Sequence, residues 1–130
     1  MIEQEITNKI IKAFYKVYNT LGYGFLEKVY ESAMYLELQK SGLGCKRQER
    51  IKVYYEDTQV GDYFADIIVD NRVILELKAT ENLCYEHECQ LINYLKATNI
   101  EVGLLFNFGK EAQFKRKIFT NDRKEYRAYE

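Results

Sequence analysis

The 130-residue chain has no proline, no tryptophan, one histidine (His87) and only two serines, Ser32 and Ser41. Without proline, element boundaries must be set by glycine, asparagine and charge. Neither serine has a neighbouring histidine, which gives little support to a serine hydrolase, and no glycine-rich phosphate loop is present. The three cysteines, an odd number, argue against a disulfide framework and fit a reducing, cytoplasmic setting. Cys84, His87 and Cys89 make a poor zinc set, because His87 and Cys89 stand about 200° apart on a helix. No apolar run approaches the ~18 residues of a membrane span. The start, Met1-Ile-Glu-Gln-Glu-Ile6, lacks the basic stretch and apolar core of a signal peptide. No membrane partner is expected. Nineteen basic residues against 20 acidic ones leave a net charge of −1, so no overall basic field marks a nucleic-acid binder.

What is present describes a globular domain. Apolar residues make up 47% and charged residues 30%, and the length fits one domain over 1–130, with a polar tail from 120 to 130. Charge is unevenly placed. Residues 61–100 carry three basic and seven acidic groups, whereas 41–60 and 101–130 are slightly basic. An acidic middle with basic flanks suits a cation site beside a polyanion-binding rim; ordinary surface charge would look similar.

The hydrophobic periodicity gives the order of elements. Ile6, Ile10, Ala13, Phe14, Val17 and Leu21 recur three and four apart, which predicts a helix broken by Gly22 and Gly24. A second helix is predicted from near Phe25 until Ser41-Gly42. From about Arg50 the period becomes two, predicting a strand to Tyr55, a second strand from Val60 to Val69 and a third from Val73 to Ala79. A helix is expected from about His87 to Thr98, a fully covered strand from Val102 to Phe108 and an edge strand from Phe114 to Phe119. A meander followed by a helical crossover implies an α/β fold with a mixed sheet and helices packed on it.

The chemistry concentrates in the second and third strands. Asp62-Tyr-Phe-Ala-Asp66-Ile-Ile-Val69 and Val73-Ile-Leu-Glu76-Leu-Lys78-Ala79 are apolar on both faces except at Asp66, Glu76 and Lys78. Glu76 and Lys78, two apart, leave one face of the strand, roughly 6.6 Å from each other. A three-residue loop, Asp70-Asn71-Arg72, would pair Val69 with Val73 and set Asp66 opposite Glu76. A two-residue loop would put the two carboxylates on opposite faces of the sheet. Facing carboxylates are destabilising unless a cation lies between them. Their hard oxygens favour Mg²⁺ or Mn²⁺ over zinc. The competing reading makes Glu76 and Lys78 a solvated edge, and must then explain Ile68 and Ile74 on the same face.

Asp66, nine intervening residues and Glu76-x-Lys78 resemble the core motif of the PD-(D/E)XK nuclease superfamily. Gly24-Phe-Leu-Glu27-Lys-Val-Tyr30 is similar to the naming motif of one of its branches, the GxxExxY proteins. The blocks Val73 to Ala79, Gln90-Leu-x-x-Tyr94-Leu and Gly103-Leu-Leu-x-Asn107-Phe-Gly109 resemble the same branch. The resemblance implies a restriction-endonuclease-like central mixed sheet flanked by helices, and metal-dependent hydrolysis of phosphodiester bonds. Asp66 and Glu76 then correspond to metal ligands for Mg²⁺ or Mn²⁺. Lys78 corresponds to the lysine that orients the attacking water, Glu27 to the first-helix glutamate and Gln90 to the glutamine set against the site. Ala65 stands where the superfamily commonly has proline.

Other residues are ambiguous. Glu27, Tyr30 and Glu31 share a helical face, as do His87, Gln90 and Tyr94, although solvated faces have the same spacing. Tyr54, Tyr55 and Tyr63, near Lys46, Arg47, Arg50 and Lys52, could stack on bases and contact phosphates, or simply border the core. Lys115-Arg116-Lys117 and Arg123-Lys124 are further candidate phosphate contacts. The implied partner is nucleic acid, DNA before RNA. The resemblance also suggests a homodimer, since short chains of this fold often need two subunits to span a duplex. The alternative from another class is a nucleic-acid- or protein-binding module that keeps the fold without catalysis, which the near-neutral charge favours.

Overall fold

The computed structural model describes residues 2–124. Of the polar tail, residues 125–130 lie outside the described residues. The apolar stripe of the first segment forms α1 (Gln4–Leu21), which buries Ile6, Ile10, Ala13, Phe14 and Val17. It ends where Gly22 takes φ 68° and donates its N–H to the Tyr18 carbonyl at 2.8 Å. Helix α2 (Glu27–Lys40) begins two residues later than the periodicity predicts and buries Tyr30, Glu31, Met34 and Leu38.

Five strands follow: β1 (Cys45–Tyr55), β2 (Thr58–Val69), β3 (Val73–Lys78), β4 (Val102–Phe108) and β5 (Ala112–Ile118). Helix α3 (Tyr85–Lys96) connects β3 to β4, and a 3₁₀ turn at Asn121–Arg123 comes last. The sheet order is β1-β2-β3-β4-β5, parallel only between β3 and β4 and antiparallel elsewhere. This is the mixed sheet that a meander and a helical crossover imply.

Helices α1 and α2 cover one face, where Phe14 stacks on Phe106 with centroids 4.3 Å apart. Helix α3 covers the other through Leu91, Tyr94 and Leu95 against Ile74 and Leu105. Strand β4 is buried along its whole length, as its unbroken apolar run predicts. Gly103 on β4 permits close helix–sheet contact: a Cβ there would sit 2.7 Å from Leu91 Cδ1.

β1 begins five residues earlier than its pattern suggests. It is an edge strand, so Lys46, Glu49 and Arg50 interrupt the apolar alternation without costing burial.

Two local features position the site. The β2–β3 loop has three residues: Val69 pairs with Val73, Asp70 and Asn71 take φ 51° and 55°, and Arg72 N–H donates to the Val69 carbonyl at 2.9 Å. Strand β2 also reverses its faces near Asp66. Ala65 packs on the α3 side with Ile51 and Ile74, whereas Ile67, two residues on, packs on the α1–α2 side. Residues two apart on a regular strand share a face, so the chain rotates between them. Opposite Asp66, between the pairs Arg47–Ile67 and Glu49–Ala65, Gln48 takes φ 50°, a left-handed value unusual for a side chain of its kind.

Candidate active site

The site forms where β2 leaves β3. The ladder ends at Ile67–Leu75, and carboxylates replace its next backbone bonds. Asp66 N–H donates to Glu76 Oε2 at 2.9 Å, and Leu77 N–H donates to Asp66 Oδ2 at 2.8 Å. The odd loop therefore brings Asp66 and Glu76 together on one side of the sheet.

Burial is nearly complete for Glu76, which is 4% exposed. Its carboxyl is pushed up to about 8, first by burial and then by the charge of Asp66; Glu27 pushes the same way and Lys78 opposes. Asp66 is also raised above the ordinary carboxylate range. Burial dominates, Glu31 adds to it, and the Leu77 N–H, Gln48 and Lys78 oppose. Two raised carboxyls buried side by side, each accepting only from a backbone N–H or an amide, are a costly arrangement for a structural motif.

Lys78 ends β3, half-buried, with its charge acting on both carboxylates. The next two residues are fixed. Ala79 N–H donates to Glu27 Oε2 at 3.2 Å. The buried Asn107 amide clamps Thr80, accepting its N–H at 2.9 Å and donating to its carbonyl at 3.0 Å. Gly109 has no room for a side chain, since a Cβ would lie 2.3 Å from the Thr80 oxygen.

Glu27 reaches the site because the turn before α2 is built rigidly. Gly24 takes φ 112°, open essentially to glycine. The fully buried Tyr30 stacks on Phe108 at 4.3 Å, donates its hydroxyl to the Gly22 carbonyl at 2.6 Å and accepts the Phe25 N–H at 3.2 Å. Gly24, Glu27 and Tyr30 thus shape, occupy and brace one turn.

From the opposite face, α3 contributes Gln90 and Tyr94. Gln90 Nε2 donates to the Tyr94 hydroxyl at 2.8 Å. That hydroxyl is pushed up to about 12, first by burial and then by the charge of Glu76, with Asp66 adding to it. The hydrogen bond of Gln90 thus goes to Tyr94, not to the carboxylate pair. His87 does local work: its Nδ1 accepts the Cys84 N–H at 3.2 Å, capping α3. All three cysteines are free.

The β1 cations are divided. Arg47 turns toward α2, with Nε 2.9 Å from Glu31 Oε2 and a terminal nitrogen 2.9 Å from Ser32 Oγ. Arg50 pairs with Asp62 through bonds of 2.8 and 2.9 Å. Lys46 and Lys52 are exposed. In the other basic clusters, Lys117 pairs with Glu88 at 2.5 Å and Arg116 donates to the Ile2 carbonyl.

Two residues that spacing did not single out for the site belong beside it. Gln48 Nε2 lies 2.6 Å from Glu31 Oε1 and 3.4 Å from Asp66 Oδ1, so the amide bridges the two carboxylates. Glu31, 4% exposed, accepts from both Arg47 and Gln48. Its spacing from Glu27 placed it on the right helical face. Gln48 carried no signal, as a polar residue within a charged edge strand.

This network should separate stability from chemistry. Glu31→Ala is expected to lower the unfolding free energy by roughly 2–3 kcal/mol, less than a fully buried pair because the Arg47 side chain stays 33% exposed. Gln48→Gly relieves the left-handed backbone and removes the amide from Asp66. Its stability should stay within about 1 kcal/mol of the parent. Any site activity should fall about tenfold, the usual order for losing a group that holds a ligand in place. Urea melts and activity assays on the two variants check both statements.

The donor set fits a hard divalent ion. Asp66 and Glu76 supply oxygens, and no described side chain or amide donates to Glu76 Oε1. Among the described residues no three His, Cys, Asp or Glu side chains cluster as a metal site. One or two carboxylates, with water and phosphate oxygens completing the shell, suit Mg²⁺, whereas a zinc site calls for more protein ligands.

Comparison with known proteins agrees with this architecture. The family described as the PD-(D/E)XK nuclease superfamily matches residues 4–118. No curated protein matches the sequence. Among solved structures, the crystal structure of SSO0001 is similar in fold, with a TM-score of 0.57 at 14% identity, over 72% of this chain and 50% of that one. The chain thus spans about half the length of that protein. No described helix is long and apolar enough to cross a membrane. With a mixed five-stranded sheet, an aspartate and a glutamate joined at the fork of β2 and β3, and a lysine two residues on, all within the matched segment, the chain belongs to the PD-(D/E)XK nuclease superfamily.

Proposed function

We propose that the chain is a metal-dependent nuclease of the GxxExxY branch that hydrolyses phosphodiester bonds in nucleic acid. The observation that carries this reading is the buried contact of Asp66 with Glu76, two carboxyls raised by burial, with Lys78 beside them. Such a pair is expensive in an empty protein and becomes favourable when a cation replaces the proton.

Asp66 and Glu76 would hold Mg²⁺ or Mn²⁺, which supplies Lewis acidity at the phosphate and lowers the pKa of bound water. The chain's own groups do the rest. The Leu77 N–H fixes Asp66 Oδ2, and the Asp66 N–H fixes Glu76 Oε2, so both carboxylates are oriented before substrate arrives. Lys78 presents an ammonium that positions the attacking water and offsets charge gathering on the phosphate oxygens. Glu27 orients the backbone just after Lys78 through Ala79. Gln90 fixes the Tyr94 hydroxyl, and Tyr94 packs from α3 against Ala65 and Ile74 beside the pair.

A non-catalytic binding module is the second reading. It is favoured by the internal pairing of Arg47 and Arg50, which removes two cations from a basic track. One assay separates them: labelled DNA and RNA, single-stranded, duplex and junction, incubated with Mg²⁺, with Mn²⁺ and with chelator. Cleavage is expected with either metal and none with chelator. Binding without cleavage under every condition would favour the second reading.

A further inference from the structure

A groove of about 760 Å³ runs along α3 between that helix and the β1–β2 hairpin, within the ~300–1,000 Å³ typical of ligand sites. Its helical wall extends from Glu86 to Ala97, roughly 16 Å at 1.5 Å per residue, which is longer than one nucleotide. The groove adjoins the carboxylate site, because Tyr94 lines it and packs in one buried cluster with Ala65, next to Asp66, and with Ile74, two residues before Glu76 on the same strand.

Its chemistry suits bases better than a duplex backbone. Tyr63, 48% exposed, stands at the mouth with its ring centroid 5.8 Å from that of Tyr94. Val53, Val60 and Gly61 line the groove with apolar groups from the β1–β2 hairpin. A Cβ on Gly61 would lie 3.0 Å from the Tyr63 ring, so glycine there lets the ring settle against the strand. The amides of Gln90 and Asn93 face the same space and carry both donors and acceptors for base edges. Cations gather by the C-terminal end of α3, where Arg123 and Lys96 lie over the Phe119 ring at 4.6 and 5.4 Å. Aromatic faces, amides and a cationic end are the parts of a single-strand platform.

We infer that this groove receives unpaired bases of a single nucleic-acid strand whose phosphodiester lies at Asp66 and Glu76, making single-stranded or locally melted nucleic acid the substrate class. The inference rests on the nuclease reading for the position of the phosphate, but its test does not depend on cleavage. With the full chain in chelator, fluorescence anisotropy compares labelled single strands of DNA and RNA, their duplexes, and the same strands with abasic positions.

Single strands of DNA, RNA or both should bind about tenfold tighter than their abasic counterparts and tighter than duplex. Tyr63→Ala should remove most of that advantage and leave abasic binding unchanged. Asn93→Trp, an exposed position that fills the groove without disturbing the core, should weaken single-strand binding similarly. Equal affinity for base-bearing and abasic strands, or a preference for duplex, overturns the inference. A Tyr63-dependent preference without cleavage in any metal would sink the nuclease reading alone. Metal-dependent cleavage without the preference would sink the groove alone.

Discussion

Alanine in place of Lys78 is expected to lower metal-dependent cleavage by about 10²–10³-fold while leaving the protein folded, the usual cost of removing one preorganised charge that stabilises the transition state. Lys78 is half-buried at the end of its strand, and the backbone around it is held by Glu27 at Ala79 and by Asn107 at Thr80. The fold therefore does not depend on its ammonium. Its removal also deprives Asp66 and Glu76 of the positive charge that favours their ionised forms. The variant should thus need more metal, and added metal should recover only part of the rate. Asp66→Ala should abolish cleavage by another route. It removes an oxygen proposed to hold the metal and leaves the Leu77 N–H without its acceptor, so metal affinity should fall with the rate. Rates over a range of Mg²⁺ concentration, with thermal melts as a control for folding, separate the two. If both variants cleave as the parent does, the assignment of this pocket as the catalytic centre is wrong.

The positions of Asp66, Glu76 and Lys78 were legible because they depend on strand arithmetic. Strand residues alternate faces, Asp70-Asn71-Arg72 is turn chemistry, and an odd loop sets Asp66 opposite Glu76. The stripe of α1 and the unbroken run of β4 were legible for the same reason, since each reports which faces are covered. The role of Arg47 was hidden because charge along a sequence does not say whether a guanidinium faces solvent. Here the twist of β1 turns it onto Glu31 of α2, 16 residues earlier in the chain. Gln48 was hidden more deeply. Its left-handed backbone and its bridge from Glu31 to Asp66 exist only because β1 and β2 reverse their faces together, and no residue type marks that event. The groove beside α3 is likewise a property of two elements far apart in sequence, although Gln90 and Tyr94 were placed on one helical face.

Glu76→Gln should make the metal-free protein more stable at pH 8 by roughly 3–5 kcal/mol and at the same time abolish cleavage. Glu76 titrates at about 8 in the fold, against 4.5 for the ordinary group. A carboxyl raised by folding binds its proton more tightly in the native state than in the unfolded chain. Its contribution to stability is fully present below pH 4.5 and is lost as the pH rises to about 8, because the unfolded chain gives up the proton first. Asp66, also raised, acts in the same direction. Asp62 and Glu88, whose carboxyls are held below the usual range by hydrogen bonds from Arg50 and Lys117, act only below that window and do not mask it. Urea melts in chelator at pH 5 and pH 8 should therefore show a steep loss for the parent and a smaller one for Glu76→Gln, in which Asp66 remains raised. The glutamine oxygen can still accept the Asp66 N–H, so the strand fork remains intact. Mg²⁺ should stabilise the parent more at pH 8 than at pH 5, since the ion competes with the proton for Glu76, and should hardly affect the variant. The cost is specific to this fork, where one carboxylate is buried against another; on the proposed reading a cation offsets it, and an uncharged isostere should remove cost and cleavage together. Parallel stability curves for the two proteins between pH 5 and 8 would show that Glu76 is not held protonated, and that the strain attributed to this pair lies elsewhere.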